Sequence, residues 1–171
     1  MLKRIVSFSI AVLLGILLLS SCQVKYNFTG SKPMVLEKTF TVYYFPNRAR
    51  LINPTLSQSF TEQLREKLQR QTSLNEISEN GDIEFEGQIT GYEFRPMSIQ
   101  KEDLAAQTRL TITVKVKYTN NKVPEDSFET SFSAYEDFDS SLPISSVEDE
   151  LTAEIIDKLN DDIFNASIAN W

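Results

Sequence analysis

Between Arg109 and Tyr118 the chain alternates without a break. Leu110, Ile112, Val114, Val116 and Tyr118 are apolar, whereas Thr111, Thr113, Lys115 and Lys117 are polar. A period of two in β-branched and aromatic residues marks a strand with one face buried and the other wet. Such a strand needs paired neighbours and a second layer over one face only, so the chain is held to a layered fold with a polar sheet surface left over.

The neighbours can be read in the same way. Phe40, Val42 and Tyr44 alternate within Lys38 to Phe45, and Ile83, Phe85, Ile89 and Phe94 frame polar Glu84, Glu86, Gln88 and Thr90. Phe128, Phe132 and Ala134 give Ser127 to Tyr135 an apolar side. Gly87 and Gly91 fall inside the second of these strands, where glycine marks a bulge or a close backbone approach. "TNNKVP" is a hairpin connection, so the last three strands form an antiparallel meander.

Two segments change period. Asn53-Pro54 supplies an N-cap and a preorganised first turn for a helix to about Gln71, with Leu56, Phe60, Leu64 and Leu68 on one stripe. Ser145-Ser146-Val147-Glu148 reads as a capping box, followed by Leu151, Ile155, Leu159 and Ile163, and this helix should reach at least Asn165. Each helix has one apolar face. The order β-α-β-β-β-α therefore predicts an α+β two-layer sandwich, a four-stranded, mostly antiparallel sheet with two helices on one face.

The only cysteine, Cys22, stands where an apolar run ends. Lys3 and Arg4 precede Ile5 to Leu19, which is apolar apart from Ser7, Ser9 and Gly15, the plan of an export signal. That run is shorter than the ~20 residues of a spanning helix. Leu19-Ser20-Ser21-Cys22 has the order of a lipoprotein processing site, with the thiol as acyl acceptor, although Ser21 stands where Gly or Ala is commoner. A disulfide within the chain is ruled out by the count, and a buried structural cysteine is the competing reading. The expected organisation is a lipoprotein signal peptide over 1–21, a lipidated tether over 22–37 and one domain over 38–171. Acyl chains such as palmitate on Cys22 would then anchor the chain to a membrane without a spanning helix.

Charge and composition exclude several functions. Without Lys3 and Arg4, 15 basic residues face 24 acidic ones, a net of −9 that gives no support for nucleic-acid binding. The balance is uneven: Lys25 to Lys122 carries a net of +3 and Glu125 to Trp171 a net of −12. Histidine is absent and the one thiol is the lipid acceptor, so no Ser-His or Cys-His pair can be assembled and the usual zinc sites are out. No phosphate-binding loop or dinucleotide fingerprint is present, and no cofactor or metal is expected. Glu136, Asp137 and Asp139 in "YEDFDSS" could serve as paired carboxylates or calcium ligands, against the plainer reading of a solvated acidic turn. The chain is read as not being an enzyme.

With these pieces in place, the chain resembles the LPS-assembly lipoprotein family, LptE, in a divergent branch. The resemblance is carried by Cys22, "YNFTG" (Tyr26 to Gly30), "YFPNRARLINPTLSQSFTEQL" (Tyr44 to Leu64), "FEGQITGY" (Phe85 to Tyr92), "RLTITVKVKYTN" (Arg109 to Asn120) and "VEDELTAEIIDKLNDDIFNASIANW" (Val147 to Trp171). Where better-studied members have Cys-Gly-Tyr or Cys-Gly-Trp, this chain reads Cys22-Gln23-Val24-Lys25-Tyr26. The resemblance implies an outer-membrane lipoprotein on the periplasmic side, which plugs the LptD-type β-barrel translocon, helps it fold and assists lipopolysaccharide insertion.

The family's lipopolysaccharide-binding positions are not carried over onto this chain. From chemistry alone the candidates are Arg48 and Arg50, because guanidinium pairs phosphate bidentately, followed by Lys115 and Lys117 on the outer face of their strand; solubilising charge is the bland alternative. A different function class also stays open: an envelope lipoprotein that binds glycan or another cell-envelope partner without a transport role, using some of the six tyrosines and 11 phenylalanines as stacking surfaces.

Overall fold

The computed structural model describes residues 37–97 and 106–169, so Cys22, the signal segment and the tether before Glu37 lie outside the described residues. The elements are β1 (Thr39–Val42), α1 (Leu56–Gln71), β2 (Asn75–Glu76), β3 (Ile83–Met97), β4 (Gln107–Asn120), β5 (Phe128–Asp139) and α2 (Ile144–Ser167). They form a sheet in the order β2-β1-β3-β4-β5. β1 runs parallel to both β2 and β3, and β3, β4 and β5 make the antiparallel meander.

The α+β sandwich is present, with five strands rather than four. The extra strand, β2, is two exposed polar residues, so it has no apolar period to show. Its pairing is made by backbone bonds: the Asn75 amide donates to the Lys38 carbonyl and the Ile77 amide to that of Phe40, both at 2.9 Å. β1 is shorter than its alternation suggests, but its path continues beside β3, where Tyr43 donates to the Phe85 carbonyl and Ile89 to that of Pro46.

The apolar face of β4 makes the centre of the core. Leu110, Ile112, Val114 and Val116 are fully buried, and so are the α1 stripe of Leu56, Phe60, Leu64 and Leu68 and Ile155, Leu159 and Ile163 of α2. At Gly87 the backbone comes so close to β4 that a Cβ would lie 2.0 Å from the Lys115 carbonyl oxygen. The Phe45 ring takes the space a side chain would need, edge-on to Phe60 at a centroid separation of 5.0 Å. The ladder slips between Ile89 and Gly91, which places the expected bulge at Thr90 and lets Tyr92 return to the core side.

Both helix starts differ from the sequence reading. α1 begins at Leu56 instead of Pro54, because Asn53 closes a local turn, its Oδ1 accepting from the Thr55 amide at 3.0 Å and the Thr55 hydroxyl at 2.9 Å. The capping box at Ser145 does not form. Pro143 is the N-cap, with φ of −61°, the helix starts before Ser145 with no side-chain cap, and the Glu148 carboxylate is taken by Tyr92 and Asn53 instead. Ser146 instead donates its hydroxyl to the Pro143 carbonyl at 2.7 Å.

The helices run parallel. Asn53, just before α1, bonds Glu148 near the start of α2, while Lys67 further along α1 pairs with Asp157 and Asp161 of α2 at 3.2 and 2.5 Å. Chain entry is fixed at the opposite end, where the Lys38 and Thr39 amides donate to Asp82 Oδ2 and Asn120 donates to Glu37.

Candidate functional site

Two surfaces hold the residues the sequence singled out. The first is the segment between β1 and α1, running along the edge of β3. Its Arg48 amide donates to the Ile89 carbonyl at 2.8 Å, and Ala49, whose amide donates to Asn47 Oδ1 at 2.9 Å, is buried. An anchored alanine between Arg48 and Arg50 leaves both arginines exposed. Neither guanidinium has an ion-pair partner among the described residues, so both can receive a phosphate without first breaking a contact.

The second surface is the face of the sheet turned away from the helices. Lys115 pairs with Glu129 at 2.5 Å and Lys117 with Glu86. These contacts lift the Lys117 ammonium above its ordinary pKa and hold the Glu129 carboxyl below its own. Around them Glu86, Gly87, Gln88, Lys115, Lys117 and Glu129 line a shallow concavity of about 340 Å³. Both lysines are thus neutralised by carboxylates across the ladder, whereas the arginines are not. Lys115 lies opposite Gln88, next to the residue that receives Arg48, so Arg48 and Lys115 share a level of the sheet on either side of β3.

Further along this face Arg109 grips Asp137 with two bonds, Nε to Oδ1 at 2.7 Å and a terminal nitrogen to Oδ2 at 2.8 Å, and its Cζ lies 3.5 Å from the centroid of the Tyr135 ring. The pairing drives the Arg109 pKa up and that of Asp137 down. The acidic turn is accordingly not one cluster. Asp137 serves Arg109 on the open face, Glu136 pairs with Lys158 of α2, and Asp139 accepts from the Ser141 amide at 2.8 Å. No group of three or more acidic, histidine or cysteine side chains able to hold a metal exists among the described residues.

Sequence reasoning passed over two features. Tyr92, Asn53 and Glu148 meet between β3, the arginine segment and α2: the Tyr92 hydroxyl donates to Glu148 Oε1 at 2.5 Å and the Asn53 amide nitrogen to the same oxygen at 3.1 Å. Burial, then the Glu148 carboxylate, push the Tyr92 pKa up to about 12. The latch fixes the end of the arginine segment to the helix layer. Beside it Leu51 and Ile52 are exposed, Ile52 by 73%. The signal was present in "RLINP", where two large aliphatic residues stand together between an arginine and a helix start.

The comparisons with known proteins bear on this arrangement. The family model described as LptE, lipopolysaccharide-assembly, matches residues 37–167. Among solved structures, a minor lipoprotein from Acinetobacter baumannii superposes with a TM-score of 0.50 at 15% identity, over 75% of this chain and 91% of that one. The hypothetical protein CT253 from Chlamydia trachomatis superposes with a TM-score of 0.51 at 10% identity, over 78% of this chain and 98% of that one. At such identities the likeness is one of fold. No curated protein matches the sequence.

Proposed function

The chain belongs to the LptE family of lipopolysaccharide-assembly proteins, and from that premise we propose that it is a non-catalytic, lipid-anchored assembly factor of the outer membrane. In this reading Cys22 carries the acyl anchor on the periplasmic side. The folded domain plugs an LptD-type β-barrel, helps that barrel fold and assists insertion of lipopolysaccharide. The observation that carries the proposal is the family match over 37–167, which spans nearly all of the described sandwich.

The site geometry supports a division of labour. Arg48 and Arg50 are the cations free for lipid A phosphates, because the ammonium groups of Lys115 and Lys117 are already engaged by Glu129 and Glu86. A guanidinium can meet a phosphate with two parallel bonds, which favours the arginine segment over the lysine face. Depletion of the protein should lower surface lipopolysaccharide. Restoring it with Arg48→Gln and Arg50→Gln combined should rescue less well than restoring Lys115→Gln and Lys117→Gln. Unchanged surface lipopolysaccharide on depletion contradicts the function, and the reverse order of rescue contradicts the site.

A further inference from the structure

The sheet ends differently on its two sides. At one edge β2 is only two residues long, whereas at the other β5 pairs with β4 over 12 residues without a register shift and has no strand beyond it among the described residues. The bonding phase of β5 follows from its end. The Ser140 amide donates to the Ala106 carbonyl at 2.9 Å, so in this register Phe138 exchanges ladder bonds with Thr108, Glu136 with Leu110 and Ala134 with Ile112. The alternate residues Ser131, Ser133, Tyr135 and Asp137 therefore direct their N–H and C=O groups away from β4. Nothing among the described residues bonds the outward main chain of Ser131, Ser133 or Tyr135. Sheet edges are usually blunted by short strands, prolines, bulges or charge; β2 is blunted by its length, but residues 130–135 of β5 read TSFSAY, uncharged, with Ser131, Ser133 and Tyr135 exposed.

The edge also has a wall. A concavity of about 490 Å³ is lined by the consecutive β5 residues Ser133, Ala134, Tyr135, Glu136 and Asp137 and by Lys158 and Asp162 of α2. Consecutive strand residues point to opposite faces, so a hollow that touches all five lies over the edge of the strand and not over either face of the sheet. Lys158 is engaged by Glu136, while Asp162 is exposed without an ion-pair partner among the described residues.

We propose that the free edge of β5 accepts an extended segment of another polypeptide, one carrying basic side chains, as an added strand. Outward N–H and C=O groups that recur at every second residue are complementary to another extended main chain, which is how sheet edges take up peptide strands. The unpaired Asp162 carboxylate in the wall, and the net charge of −12 over residues 125–171, select lysine or arginine on the incoming strand. The same charge opposes self-pairing, because a second copy would bring two such segments together. β3 and β4 separate this edge from the segment that carries Arg48. The strand contact goes beyond the lipopolysaccharide reading and does not depend on it.

The test uses the full chain in detergent and three synthetic peptides, acetylated and amidated: Lys-Thr-Val-Thr-Val-Thr-Lys, the same sequence with glutamate for both lysines, and the lysine peptide N-methylated at every amide. Amide exchange is followed residue by residue by NMR. The lysine peptide should slow exchange at Ser131, Ser133 and Tyr135 by about tenfold or more, while Phe132 and Ala134, already bonded to β4, change little. The glutamate peptide should protect them less and the N-methylated peptide not at all, and Asp162→Asn should narrow the gap between lysine and glutamate peptides. Ser133→Pro removes an outward N–H and no ladder bond, so it should abolish the protection in a chain that circular dichroism shows to be folded. Unchanged exchange at these three amides with millimolar lysine peptide overturns the proposal, and equal protection by the glutamate peptide overturns the basic partner. Protection without any peptide also overturns it: if it grows with protein concentration a second copy holds the edge, and if it does not, another segment of this chain does.

Discussion

Replacing Gly87 by alanine should destabilise the domain, although the same change raises stability at many glycines. Its Cβ would sit 2.0 Å from the Lys115 carbonyl oxygen and 2.7 Å from Phe45 Cε1. The oxygen belongs to a central strand paired on both sides, and the Phe45 ring is fully buried against Phe60, so neither retreats freely. Overpacking of this kind costs about 1–3 kcal/mol, whereas loss of a glycine from the unfolded chain returns about 0.4–1 kcal/mol. A backbone clash belongs at the upper end of that range, leaving a net loss of about 2 kcal/mol. For a domain near this size that corresponds to a fall in Tm of about 4–8 °C. Gly91→Ala is the matched control, since its nearest neighbours are Thr113 side-chain atoms at 3.1 Å, and its Tm should move by less than about 4 °C. Thermal melts followed by circular dichroism give both values. An unchanged or higher Tm for Gly87→Ala, or a larger fall for Gly91→Ala, refutes the close-approach argument.

Three further outcomes follow from the contacts. The Lys38 amide, and after it the Lys122 ammonium, hold the Asp82 carboxyl at about 2, below its ordinary 3.8. A depressed carboxylate stabilises the fold above its unfolded pKa and loses that contribution as pH falls through about 2. Asp82→Asn should therefore be less stable than the unsubstituted chain at pH 7, and urea midpoints should converge as the pH is lowered toward 2; a constant gap contradicts this. Lys67 buries its stem while its partners Asp157 and Asp161 are exposed, so Lys67→Ala should cost about 2 kcal/mol, mostly lost packing, and Lys67→Met less than about 1 kcal/mol. Equal losses by urea unfolding would show that the stem does not pack. Cys22→Ala should leave the membrane fraction while keeping the circular dichroism of the folded domain, and retention in the membrane speaks against acylation.

Much of this architecture was legible because burial and periodicity coincide. Leu110 to Tyr118 alternates in sequence and in burial alike, and the every-fourth-residue stripes of both helices are the ones that pack. What stayed hidden depends on partners distant in sequence. β2 exists through backbone bonds to Lys38 and Phe40, and two polar residues cannot announce that. Glu148 fits a capping box locally, but Pro143 starts the helix earlier and Tyr92, 56 residues away, takes the carboxylate. Side-chain chemistry already places Arg48 ahead of Lys115 as a candidate phosphate contact in the sequence. What no local pattern could show is the cross-strand position of Glu129, which occupies Lys115 while Arg48 has no ion-pair partner among the described residues.

The proposed partnership with a β-barrel protein can be tested in one purification. Full-length tagged protein is extracted in mild detergent from outer membranes, with a photo-crosslinking residue at position 48, 115 or 125. A single β-barrel protein should co-purify in near-equal amount, with crosslinks from at least one of these positions. Recovery of the lipoprotein alone, at detergent concentrations that leave other outer-membrane complexes intact, would contradict it.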